Sequence, residues 1–290
     1  MFGLDHNTQV VAAAAAMTGA AAGIAGSLLT LRKRALLGDA LGHATLPGIA
    51  LAYIASVWLG GSGREPVVLM LGAALGGLAG LASLALIRRL ARVSDDAAMA
   101  IVLGSFFGLG TALLTLIQSS PSGHAAGLAT LVTGHAASMV TDDAVIAAGV
   151  ALVCMAVVGM LSKELSLLCF DEGFAQTLGR RTKVLDAVVL LVATCVVVAG
   201  LRSVGLVLIV ALLIIPAAAA RLVVDRFVPM LSVAAIVGAL SGVIGTLVSA
   251  SAPDLPAGAC IVLAAAALFG IAAVCAPRNG VIARVRGAMP

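Results

Sequence analysis

The chain has 290 residues, 62% hydrophobic and 10% charged, with a net charge of +4 and a mean hydropathy of +1.18. No soluble domain needs that much apolar surface, and the basic clusters lack the interleaved aromatics of a nucleic-acid-binding face, so a soluble enzyme and a nucleic-acid binder are both excluded. Continuous apolar runs of about 20 residues, each long enough to cross ~30 Å of hydrocarbon, point to membrane helices and not to the alternating strands of a barrel.

The composition predicts an all-α fold: one polytopic transmembrane bundle over residues 1–290, with about nine spans and a range of eight to ten. The first span covers Val10–Leu31 and carries Gly19, Gly23 and Gly26. No basic n-region precedes it, so it is expected to be a retained span and not a cleaved signal. The second, Leu36–Leu59, contains Asp39 and His43. A polar loop, Gly60–Pro66, leads to the third, Val67–Ile87, which ends at Arg88, Arg89 and Arg92. Ser94-Asp95-Asp96 opens the fourth, Ala97–Gln118; Ser94 or Asp95 serves as N-cap, and acids suit a helix N-terminus. Ser119–Asp143, rich in Gly, Ser and Thr and holding His124 and His135, reads as a polar turn and a short helix that need not cross. The remaining spans fall at Ala144–Leu161, Val184–Leu201, Val204–Val224, Pro229–Ala250 and Ala257–Ala276, before a basic tail at 278–290.

Charge sets the orientation. With the N-terminus outside and the C-terminus cytoplasmic, fifteen of the seventeen Lys and Arg residues fall on the cytoplasmic side, leaving only Arg64 and Arg202 outside. Cytoplasmic retention of cations is the strongest topological rule, and adding or removing one span would scramble the bias.

Asp39 and His43 lie four residues apart, which on a helix sets an oxygen and a nitrogen ligand on one face, a pairing able to hold one divalent cation. An ionisable group in a span is costly and signals a site with a partner. The alternatives are that Asp39 pairs with Arg34 or caps the helix start, and that His43 is a satisfied histidine between helices. By helical rise, His43 lies about 13 Å in from Arg34, near mid-membrane. Pro47 then warns of a kink or break, because proline removes a backbone donor, and broken helices flank binding sites in transporters. Pro216 carries the same warning in the seventh span, just before the small-residue patch Ala217–Ala220; that span reads as a pathway helix near a gate or as a packing helix.

Between the fifth and sixth spans, CFDEGFAQTLG (residues 169–179) is too short and polar to cross. Phe170, Phe174 and Leu178 recur every four residues, so a helix there has one apolar face, and Asp171 and Glu172 suit its first turn. It reads as a helix docking into a cytoplasmic partner, or as an amphipathic loop on lipid headgroups. The five cysteines are scattered with no CxxC and serve as packing residues. No Walker A, HExxH or dinucleotide glycine pattern occurs, and Gly60-Gly61-Ser62-Gly63 is a weak protease-like match in a polar loop.

Taken together, RKRALLGDALGHATLPGIALAY (32–53), FDEGFAQTLG (170–179) and VGLVLIVALLIIPAAAARL (204–222) resemble, in order and spacing, the signature stretches of the ABC-3 metal permeases. So do Ser94-Asp95-Asp96 and SFFGLGTALLTLIQ (105–118) followed by AGL and GHAASM. His135 departs from the pattern, where a glutamine is expected. The resemblance covers nearly the whole chain and leans to the manganese/iron branch.

The resemblance implies a permease subunit in a bacterial inner membrane. It would move a divalent transition metal, Mn²⁺ or Fe²⁺ favoured and Zn²⁺ possible, with no permanently bound cofactor. The implied partners are two ABC ATPase subunits that hydrolyse the ATP, an extracytoplasmic metal-binding protein, and a second permease subunit, identical or paralogous; nucleic acid is not among them. It carries metal contact onto Asp39 and His43. ATPase coupling maps onto a helix at about 170–179, through Phe170, Asp171, Glu172, Phe174 and Gly179, and the gate and pathway role maps onto the helices of Pro47 and Pro216. The competing class is a secondary metal transporter or channel without an ATPase. That class predicts charges in several spans, whereas charges here are largely confined to Asp39 and His43, with Arg202 and Arg221 near span ends.

Overall fold

The computed structural model describes residues 6–63, 65–119, 141–203, 205–251 and 255–276. Eleven α-helices account for nearly all of them: α1 (His6–Leu31), α2 (Leu37–Trp58), α3 (Pro66–Leu90), α4 (Asp95–Gln118), α5 (Thr141–Met160), α6 (Ser162–Phe170), α7 (Glu172–Thr177), α8 (Thr182–Ser203), α9 (Leu206–Val223), α10 (Phe227–Ser251) and α11 (Ala257–Cys275). Eight of the long helices are each long and apolar enough to cross a membrane; α5 and α6, bent by 70° at their junction, make a ninth if counted as one span. Of the expected turn and short helix in 119–143, residues 120–140, with His124 and His135, fall outside the described residues, as does the tail 278–290.

Every expected span is matched by a helix to within four residues at each end. Ser94 is the N-cap of α4, its hydroxyl accepting from the Ala97 N–H at 3.3 Å.

In lipid the hydrophobic effect does not drive helices together, so close packing of small residues must. The α1–α10 contact shows this. Gly19 faces the Gly238 backbone and Gly23 faces the carbonyl of Ala234, with no room for a Cβ on either glycine. The hydroxyls of Ser27, Ser241 and Thr246 are satisfied by the carbonyl one turn back, at 2.7–2.8 Å, which removes the cost of an unpaired donor in an apolar bundle. On the other side α2 packs on α3 and α4. Gly48 meets Gly72 and Gly76 there, so the helix carrying Asp39 and His43 is clamped by backbone-level contacts.

Both membrane prolines sit inside continuous helices. α2 runs unbroken from Leu37 to Trp58 through Pro47, and α9 runs from Leu206 to Val223 through Pro216. Of the kink or break that Pro47 warns of, the break does not occur: α2 is continuous through it, with Leu46 and Pro47 lying against Gly110 of α4. Pro47 still cannot donate the bond that would close on the His43 carbonyl, while Thr45 returns its hydroxyl to the Gly42 carbonyl at 2.6 Å.

Candidate metal site and coupling segment

Asp39 lies in the first turn of α2, where the helix dipole favours a carboxylate. One turn on, the His43 Nε2 sits 3.3 Å from the Asp39 Oδ1. The Asp39 side chain is 34% and the His43 side chain 19% exposed, so the pair is neither sealed in the core nor free in solvent. The His43 ring packs edge-on against Phe107 of α4, centroids 4.8 Å apart, and its Nδ1 is buried without a hydrogen-bond partner. The ring is therefore satisfied on one nitrogen only, whereas buried polar atoms normally have partners.

Neither alternative reading of Asp39 is what the structure adopts. Arg34 donates two bonds to Asp186, at 3.0 and 2.8 Å, and approaches Asp95 at 3.9 Å. The α2 N-cap is Leu36, with no side-chain cap. Asp39 is left to His43.

The flank of α2 beside this pair is lined by α9. Gly38 abuts Leu213, and Gly42 abuts Leu206 and Val210. Pro216 is buried one turn beyond Leu212 and Leu213, so α9 runs along the Gly38–Gly42 flank of α2, next to the Asp39–His43 face. Among the described residues no cluster of three or more His, Cys, Asp or Glu could hold a metal ion.

The segment expected as a single coupling helix is divided. α6 ends at Phe170, Asp171 adopts an extended backbone (φ −149°), and α7 begins at Glu172. Asp171 is the N-cap of α7, its carboxylate accepting from the Phe174 N–H at 2.8 Å. Phe170 therefore belongs to the preceding helix, although Phe170, Phe174 and Leu178 are all more than half exposed. Fourfold spacing cannot distinguish a continuous helix from one interrupted by a capping residue. Gly179 closes α7 with a left-handed turn, φ +72°. The Gly179 N–H reaches the Gln176 carbonyl and the Arg180 N–H the Ala175 carbonyl, both at 3.0 Å, the paired bonds of a Schellman cap.

Three participants were not singled out by the sequence. Phe107 lies in the quoted SFFGLG stretch, but nothing in a sequence says which phenylalanine meets His43. Asp186 sits near the start of the expected sixth span and is a further charge there, neutralised by Arg32 and Arg34. Arg32 was read only as a topological charge. Burial pulls its guanidinium down, but Glu172 and Asp186 outweigh this and hold it above its ordinary value.

A membrane bundle of this size, with a carboxylate–imidazole pair in a span and an exposed apolar segment at its basic end, has the makings of a transport permease. A profile of the ABC 3 transport family matches residues 5–276. The chain is 40% identical over 282 residues to the manganese transport system membrane protein MntC of Bacillus subtilis (strain 168), covering 97% of this chain and 64% of that protein. It is 35% identical to the zinc transport system membrane protein TroC of Treponema pallidum (strain Nichols), covering 96% and 92%. Among solved structures, PsaBC from Streptococcus pneumoniae in complex with Fab is similar at a TM-score of 0.81 and 30% identity, covering 95% of this chain and 94% of that one. The chain belongs to the ABC 3 transport family. It is a multi-pass membrane subunit of a bacterial ABC transporter and is not itself an ATPase.

Proposed function

We propose that this chain is the permease of an importer for a divalent transition metal, with Mn²⁺ or Fe²⁺ favoured and Zn²⁺ possible, and that Asp39 and His43 contact the ion in transit. The observation carrying this is the Asp39–His43 pair on a clamped helix, partly exposed and with one imidazole nitrogen unsatisfied. Two such chains related by a two-fold axis would supply two carboxylates and two imidazoles, a set that suits these ions. Relatives named for manganese and for zinc fit the same ligand chemistry. Selectivity need not reside at a site that must also release its ion.

The ion enters from an extracytoplasmic binding protein. ATPase subunits dock on the cytoplasmic face against Phe170, Phe174 and Leu178, three exposed apolar side chains that a water-facing segment would not otherwise retain. Asp171 and Gly179 shape that docking element by starting and ending α7. ATP binding and hydrolysis then alternate access to the Asp39–His43 face along α2 and α9.

The test is uptake of Mn²⁺, Fe²⁺ and Zn²⁺ into proteoliposomes holding the complete transporter, with and without internal ATP. ATP-dependent uptake that disappears in Asp39→Ala and His43→Ala, with the subunits still co-purifying, is expected. Normal uptake in both variants would sink the assignment. Entry of metal that needs no ATPase would instead move the chain to the channel or secondary-transporter class.

A further inference from the structure

The link between α1 and α2 is five residues long, and two of them, Arg32 and Arg34, turn inward. Their side chains are 12% and 11% exposed, low for arginines in a connecting turn at the basic end of the bundle. Lys33 between them adopts a left-handed backbone, φ +56°, uncommon for a residue with a side chain. Both neighbours reach one carboxylate: Arg32 donates to the Asp186 Oδ1 at 3.1 Å, and Arg34 engages both oxygens.

Arg32 makes two further contacts, both on the coupling segment. It donates to the Leu168 carbonyl at 3.1 Å and to the Glu172 carboxylate at 2.9 Å. The Leu168 carbonyl is one that the helix would use if it ran on; the break at Asp171 releases it, and Arg32 takes the place of the missing donor. One guanidinium thus joins the last turn of α6, the first turn of α7 and the start of α8. Two residues later Arg34 holds the same aspartate, and three residues after that α2 begins, with Asp39 in its first turn.

The two arms differ in strength. The Arg34–Asp186 pair is mostly buried, one guanidinium nitrogen bridging both carboxylate oxygens at 3.0 and 2.8 Å, a short charge-assisted contact of the durable kind. The Glu172 arm has one short contact and a carboxylate 46% exposed, the kind that water and a partner can replace. A permanent anchor on α8 combined with a breakable arm on α7 is what a coupling joint requires.

We propose that Arg32 and Arg34 are positioning residues forming a charge latch that transmits movement of the α6–α7 segment to the root of the metal-bearing helix α2, with Glu172 as its releasable contact. The latch rests on the reading of α6–α7 as the ATPase-coupling segment. Neither arginine touches the transported ion. They set the position of the helix that does, and their loss separates ATP hydrolysis from transport without removing either partner.

The experiment measures metal uptake and ATP hydrolysis together in proteoliposomes of the complete transporter, for wild type, Glu172→Ala and Arg32→Lys. The lysine keeps the charge but, as a point donor, cannot span three acceptors. In both variants the ATPase is expected to co-purify and hydrolyse ATP, while ions moved per ATP fall at least about fivefold, the low end of an ordinary coupling free energy. An unchanged ratio in both overturns the latch. So do uptake and hydrolysis falling in proportion, the mark of a merely structural role. Loss of ATPase co-purification in Glu172→Ala, with Arg32→Lys at the wild-type ratio, overturns it in favour of Glu172 as a docking contact. Wild-type vesicles showing no ATP-dependent uptake would remove the importer reading itself, an outcome separate from all three.

Discussion

Gly110 is where packing and site meet, and replacing it with valine has a calculable consequence. A Cβ there would lie 2.7 Å from the Leu46 Cβ and 3.1 Å from the Pro47 Cδ, whereas carbon atoms rest at about 3.5–4.0 Å. α4 must therefore withdraw from α2 by roughly 1 Å, taking Phe107, one turn away, off the His43 ring. Overpacking of this kind costs about 1–3 kcal/mol, against a helix-propensity gain from replacing glycine of a few tenths of a kcal/mol. At about 2–4 °C per kcal/mol for a domain of comparable length, the melting temperature of the purified subunit in detergent should fall by roughly 2–10 °C. Gly108, two residues earlier on the same helix, has nothing within 4 Å of its would-be Cβ, so Gly108→Val should melt within about 1 °C of wild type. Gly110→Val melting with wild type, or below it only as far as Gly108→Val does, would refute the tight α2–α4 clamp.

Other changes should act at the coupling segment. Phe174→Glu replaces an exposed apolar side chain in the proposed ATPase contact with a charge; loss of a hot-spot contact worth about 2 kcal/mol predicts roughly thirtyfold weaker ATPase association in a pull-down, with the permease fold unchanged. Gly179→Ala forces a Cβ into a left-handed turn at about 1–2 kcal/mol; hydrogen exchange should quicken over residues 172–180 and nowhere else. Wild-type exchange there would mean that the Schellman cap is not what holds α7.

The spans were legible because a bilayer imposes one length and one polarity on every crossing helix. Ser94 was legible as a cap because its geometry is local. The Asp39–His43 pair was legible for the same reason, being set by a single turn of helix. What the sequence withheld is everything non-local. Arg32 and Asp186 are 154 positions apart, and no periodicity announces their meeting. The division at Asp171 is hidden because an acid suits both the first turn of a helix and its N-cap, and only the backbone decides which. Pro47 shows the limit of a local signal: a proline removes a backbone donor, but that the helix carries on through it, beside Gly110 and Gly48, is set by non-local packing.

The central claim is that Asp39 and His43 of two chains share one ion, and equilibrium binding of ⁵⁴Mn²⁺ to the purified transporter tests it most directly. One ion per pair of permease subunits is expected, lost in both Asp39→Ala and His43→Ala. Two ions per pair, or one that survives in either variant, would contradict it.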